Sequence, residues 1–118
     1  MYGTIMRAQL KKECIRDFYA LGKEWDAYHR TRALGYINSE LLWEDKEERR
    51  ISMIVHFTNR EQYFKNAGSP EQHQFYLRMR ACMEDDPVWI DGHYDKWDSP
   101  YSHPPGIDFG ASEGAQKG

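Results

Sequence analysis

Apolar side chains follow two different rhythms along the chain, and the switches between them mark the elements. Residues 2–10 hold Ile5, Met6, Ala8 and Leu10 with few breakers, which predicts a first strand. From Glu13 the apolar positions become Cys14, Phe18, Leu21, Trp25 and Tyr28, alternately four and three apart, a single stripe along a helix. Lys12, Arg16, Lys23, Asp26 and Arg30 fill the opposite face, and Gly35 is the expected stop. Residues 36–43 and 50–57 read as two strands joined by a wholly charged loop in which no glycine fixes the turn type. Thr58 or Asn59 is placed to cap a short helix through Tyr63 and Phe64 that breaks at Asn66, Ala67 and Gly68. A further helix then opens with Ser69 as cap, Pro70 at the first helical position and Gln72 three residues after the serine. Its stripe runs through Phe75, Met79 and Cys82 or Met83, and Asp86 and Pro87 end it. Residues 88–94 form the last expected strand, with Val88, Ile90 and Tyr94 on one face and Trp89 and His93 on the other.

The order strand, helix, strand, strand, helix, strand is the split βαβ arrangement of an α+β, ferredoxin-like domain, with a four-stranded antiparallel sheet and helices on one face. The strands depart from clean alternation. Ile51, Met53, Val55 and Phe57 share a face, but Ile54 and His56 oppose them; Ile37, Leu41 and Trp43 share a face, but Tyr36 and Leu42 oppose them. Helices cover only one side of such a sheet, so the other side is expected to meet a second copy, giving a homodimer through the sheet face.

Composition narrows the classes. With 118 residues the expectation is one domain over 1–97, followed by a flexible tail over 98–118 punctuated by Pro100, Pro104, Pro105, Gly106, Gly110 and Gly114. Tyr101, Ile107 and Phe109 are the tail residues able to pin it down. A net charge of -3 leaves no electrostatic footprint for nucleic acid or an anionic membrane. Neither a signal peptide nor a membrane-length apolar run is visible, so the expected location is cytoplasmic. Cys14 and Cys82 are expected as reduced, buried thiols.

The segment Asn66-Ala67-Gly68-Ser69-Pro70-Glu71-Gln72-His73-Gln74-Phe75, set in this order of elements, resembles the antibiotic biosynthesis monooxygenase superfamily of dimeric α/β barrels. In that family a break in the second helical region is followed by Ser-Pro, a histidine and an aromatic residue. The resemblance implies a cavity between sheet and helices and a cofactor-independent monooxygenase acting on a small aromatic such as a phenol, hydroquinone or polyketide. His73, which matches the motif, is the first candidate for a general base, and His56 on a central strand is the second. Trp25, Trp43, Tyr63, Phe64, Tyr76 and Trp89 are the candidate lining of an aromatic pocket, with Asn38 and Arg7 as polar groups able to orient a carbonyl or phenolate. His93, on the less apolar face of the last strand, reads as structural or interfacial, and His29 and His103 are assigned no role. Neither a cofactor nor a metal site is expected, because no His, Cys or carboxylate pattern has ligand spacing. The haem-degrading branch of the superfamily carries an Asn, a Trp and a His where this chain has Met6, Phe64 and His73, so only the histidine is retained. The alternative reading is a non-catalytic dimer that binds a small hydrophobic ligand or serves as a structural module.

Overall fold

A computed structural model describes residues 1–102. Four strands, β1 (Tyr2–Gln9), β2 (Tyr36–Trp43), β3 (Arg50–Phe57) and β4 (Val88–His93), form one antiparallel sheet in the order β2-β3-β1-β4. Three α-helices, α1 (Ile15–Glu24), α2 (Arg60–Ala67) and α3 (Pro70–Arg80), pack on one side of it. The register shows which side. Opposed residues share a face, so the pairs Ala8↔Ile51, Met6↔Met53, Thr4↔Val55 and Tyr2↔Phe57 build the covered surface. Met6, Ala8 and Ile51 meet Phe18 and Leu21 of α1 and Phe75 and Met79 of α3 in one buried cluster. The result is the α+β, ferredoxin-like layer pair expected from the order of elements.

Local signals explain the joints. Asn59 and Ser69 cap α2 and α3 by accepting from the backbone N–H of Gln62 and Gln72, at 2.9 and 3.1 Å. Gly35 takes a φ of 82° where the chain turns into β2. In the β2–β3 hairpin Arg49 adopts a φ of 60°, so a non-glycine residue supplies the left-handed turn. It is held there by the Leu10 N–H donating to its carbonyl at 2.9 Å and by its own Nε donating to the Leu10 carbonyl at 3.1 Å. Leu10 also bridges Met83, which ties the end of α3 to the end of β1. The expected tail lies largely in residues 103–118, outside the described residues, as do His103, Ile107 and Phe109. No helix among the described residues is long and apolar enough to cross a membrane.

Two elements depart from the sequence pattern. The expected continuous first helix becomes a 3-10 turn at Lys12–Cys14, then α1, a π turn at Trp25–His29 and a 3-10 turn at Arg30–Arg32. The wider π turn shifts the stripe by a residue, so Tyr28 is left 65 % exposed while His29 stacks on Trp25 at 5.7 Å and meets Phe75 at 4.9 Å. In β2 a register shift between Tyr36 and Asn38 inserts one residue. Tyr36 therefore joins Leu41 and Trp43 on the covered face and packs edge-on against Trp25 and Phe57, at 5.3 and 5.5 Å, instead of opposing them.

Candidate active site

A cavity of about 600 Å3 lies between the covered face of the sheet and the helices. Its floor is Thr4 and Met6 of β1, Met53, Val55 and Phe57 of β3, and Leu41 of β2. Phe18 and Trp25 close it from the first helical segment, while Tyr63 of α2 and His73, Phe75 and Tyr76 of α3 close it from the other side. The π turn begins at Trp25, which brings the indole against Phe75 at 5.4 Å and Tyr36 at 5.3 Å. An aromatic box of this size suits a flat ligand of one or two rings.

The polar groups are few. His73 sits one turn into α3 at the cavity wall and is exposed. Its backbone N–H donates to Ser69, closing the first turn of the capped helix at 3.1 Å, so the motif Ser69-Pro70 sets where the imidazole emerges. Tyr63 donates to Asp91 at 3.3 Å, and burial together with that carboxylate pushes the phenol up to about 12, so Tyr63 stays a proton donor throughout the neutral range. The Trp25 indole N–H and the Gln72 side-chain oxygen, both on the wall, are buried and without a hydrogen-bond partner among the described residues.

The roof is braced by charge. Glu24 at the end of α1 accepts two bonds from Arg78 of α3, both 2.7 Å, and lies 2.9 Å from His29. Hydrogen bonding from Arg78, and then from His29, holds the Glu24 carboxyl down at about 2. Asp26 and Arg30 pair at 3.2 Å on the rim, where the guanidinium also donates to the Ile37 carbonyl at 3.0 Å and lies over the Tyr36 ring.

The structure brings Trp25, Tyr63, His73, Tyr76 and Trp89 to this cavity, sets Asn38 at its β2 edge, where it pairs with His56 on the uncovered face, and leaves four candidates elsewhere. His56 pairs with Gly3 on the uncovered face of the sheet, 4.2 Å from the Tyr94 ring and 3.9 Å from Glu40. The two candidate histidines are thus on opposite sides of the sheet, because the alternation of β3 turns His56 away from Val55 and Phe57. Trp43 stacks on Tyr19 at 6.3 Å and donates to its hydroxyl at 2.8 Å, behind the cavity and not in it. Phe64, 39 % exposed, packs against Tyr2 and under Arg60. Arg7 on the uncovered face forms a two-bond clamp with Glu44, at 2.8 and 3.0 Å, and does not reach the cavity. Cys14 and Cys82 are free thiols at the other end of the core, and burial, then the neighbouring Cys14, raises Cys82 to about 11. Asp91 went unnoticed in the sequence, although alternation along residues 88–94 sets it with Trp89 and His93.

Solved structures match this architecture along most of their length. A conserved protein from Methanosarcina mazei is 13% identical, with a TM-score of 0.66 over 77% of this chain and 89% of its own. An antibiotic biosynthesis monooxygenase is 16% identical, with a TM-score of 0.63 over 80% of this chain and 98% of its own. SnoaB, a cofactor-independent oxygenase from Streptomyces nogalater, is 13% identical, with a TM-score of 0.64 over 83% of this chain and 97% of its own. No protein-family model matches the sequence, and comparison with curated proteins gives no match. Among known architectures, then, the chain has the fold of the antibiotic biosynthesis monooxygenases.

Proposed function

We propose that the protein is a cofactor-independent monooxygenase of a small, electron-rich aromatic, bound in the cavity with its reactive hydroxyl toward His73. The observation that carries this reading is the junction of an aromatic box of about 600 Å3 with a histidine at its wall. In the proposed reaction the imidazole accepts the proton of a phenol, which raises the electron density of the ring. Dioxygen then attacks the ring carbon. One oxygen atom replaces a C–H hydrogen and becomes a quinone carbonyl, the other leaves as water, and the substrate supplies the electrons. Tyr63 is kept protonated, and its single O–H would have to leave Asp91 to donate to a developing oxyanion. The test is oxygen uptake with a panel of phenols and naphthols. Uptake that falls by about 10²- to 10⁴-fold in His73→Ala supports the reading, and equal rates remove the histidine from the mechanism.

One observation favours the alternative of a non-catalytic binding protein: among the described residues no side chain hydrogen-bonds the His73 imidazole to fix its tautomer. Thermal stabilisation by the same phenols without any oxygen uptake is the result that reading expects.

The uncovered sheet face supports a homodimer as the working unit. Ile54, Ile5 and Ile90 are paired side by side across β3, β1 and β4, and Val88 and Ile90 are 61 % and 54 % exposed. A two-fold copy of the same face would bury this row against itself.

A further inference from the structure

The cavity has an uneven charge. Trp89 and Asp91 of β4 pair with Met6 and Thr4 of β1, which sets both on the covered side of the sheet, and both line the cavity. Asp91 is exposed at the mouth, and its one side-chain partner among the described residues is the neutral hydroxyl of Tyr63. The other charges near the wall are matched or turned away from it. Arg30 is committed to Asp26, to the Ile37 carbonyl and to the Tyr36 ring, and Glu40 pairs with Ile54, which turns its carboxylate to the uncovered face near His56. Asp91 is the carboxylate that the covered face of the sheet presents without a cation partner among the described residues.

Aromatic rings share its wall of the cavity. Tyr76 and Trp89 meet at 5.7 Å, and Tyr63 completes the group from α2. A carboxylate and the negative face of an aromatic ring act in the same direction, since both attract a cation and both repel an anion. Asp91 and Trp89 come from the alternation of β4 and Tyr63 and Tyr76 from α2 and α3, and they converge on one class of ligand.

We propose that the cavity selects aromatic ligands bearing a protonated amine over those bearing a carboxylate, and that Asp91 is the residue that sets this preference. The inference rests on the cavity being the ligand site and adds the charge of the ligand's side chain. The ring enters the apolar interior, and the ammonium group stays at the mouth between Asp91 and the rings of Tyr76 and Trp89.

Three phenols of similar size test it: tyramine, 4-ethylphenol and 4-hydroxyphenylacetate, which carry a positive, a neutral and a negative tail on the same ring. Quenching of tryptophan fluorescence reads binding, because Trp25 and Trp89 both line the cavity. At low ionic strength tyramine is expected to bind about tenfold more tightly than 4-hydroxyphenylacetate, with 4-ethylphenol between them, and about 0.5 M salt should narrow the gap. Asp91→Asn keeps an acceptor for Tyr63 and should collapse the order, while Asp91→Lys should invert it. Equal affinities in the unmodified protein, or a preference that survives Asp91→Asn, overturn the proposal and leave the cavity reading intact. Failure of all three phenols to bind, the neutral one included, overturns both.

Discussion

Arg78 of α3 holds Glu24 of α1 through two hydrogen bonds of 2.7 Å, and this clamp joins the two helices that roof the cavity. Its strength depends on pH. The Glu24 carboxyl titrates at about 2 in the folded protein against an ordinary 4.5, so its stabilising contribution is complete above the ordinary value and is lost as the pH falls from there toward 2. Thermal melts on the acid side should show Tm falling through that window. In Arg78→Ala the fall should be shallower, because the largest cause of the depressed carboxyl has been removed. Identical acid profiles for the two proteins would show that the clamp does not contribute.

The serine that opens α3 also positions His73. Ser69→Ala removes the acceptor for the Gln72 N–H and should destabilise the protein by about 1 kcal/mol, measured by urea unfolding. Ser69→Asp retains a cap and should preserve stability. If the alanine variant matched the parent, the helix start would have to be held by something other than this bond.

Ile51 is fully buried at the centre of the sheet, at 0 % exposure, in the cluster that joins β1 and β3 to α1 and α3. Ile51→Ala should cost about 2 to 5 kcal/mol, with the larger value expected if the surrounding Met6, Phe18 and Met79 do not collapse into the space. Urea unfolding at fixed protein concentration gives the value. A loss below about 1 kcal/mol would contradict a close-packed core at this position.

The row Ile54, Ile5 and Ile90 makes the dimer testable without touching the cavity. Ile90 is 54 % exposed on the edge strand, so Ile90→Glu should leave the protomer folded while introducing a charge into the proposed interface. Sedimentation should find the parent at twice 14.0 kDa at micromolar concentration and the variant at the single value. A parent protein that sediments as a monomer would remove the second copy from the account.

Much of this architecture was legible from pattern alone. The strands at Tyr36–Trp43 and Arg50–Phe57 coincide with the period-2 runs, and the Ser69-Pro70 start of α3 was set by a local rule that depends on no other part of the chain. What escaped was non-local. The inserted residue between Tyr36 and Asn38 is imposed by pairing with β3, and the π turn at Trp25–His29 by packing against Phe75 and Tyr36. Neither leaves a mark in single-sequence periodicity. The same limit separates the two histidines: a strand pattern says that His56 opposes Phe57, but only the helices show which of those faces encloses space. Asp91 was overlooked because an acidic residue near a strand end reads as solvated until Tyr63 and Trp89 are placed around it.

Methionine methyl groups test the central claim, that a small aromatic binds between sheet and helices. Of the five methionines in the sequence, Met6, Met53 and Met79 line the cavity, whereas Met1 and Met83 do not. In carbon-13 methyl-labelled protein, titration with 4-ethylphenol should move the resonances of Met6, Met53 and Met79 through ring-current shifts while those of Met1 and Met83 stay in place. Shifts confined to Met1 and Met83, or no shift at a concentration of ligand that raises Tm, would place the binding site elsewhere and contradict the account.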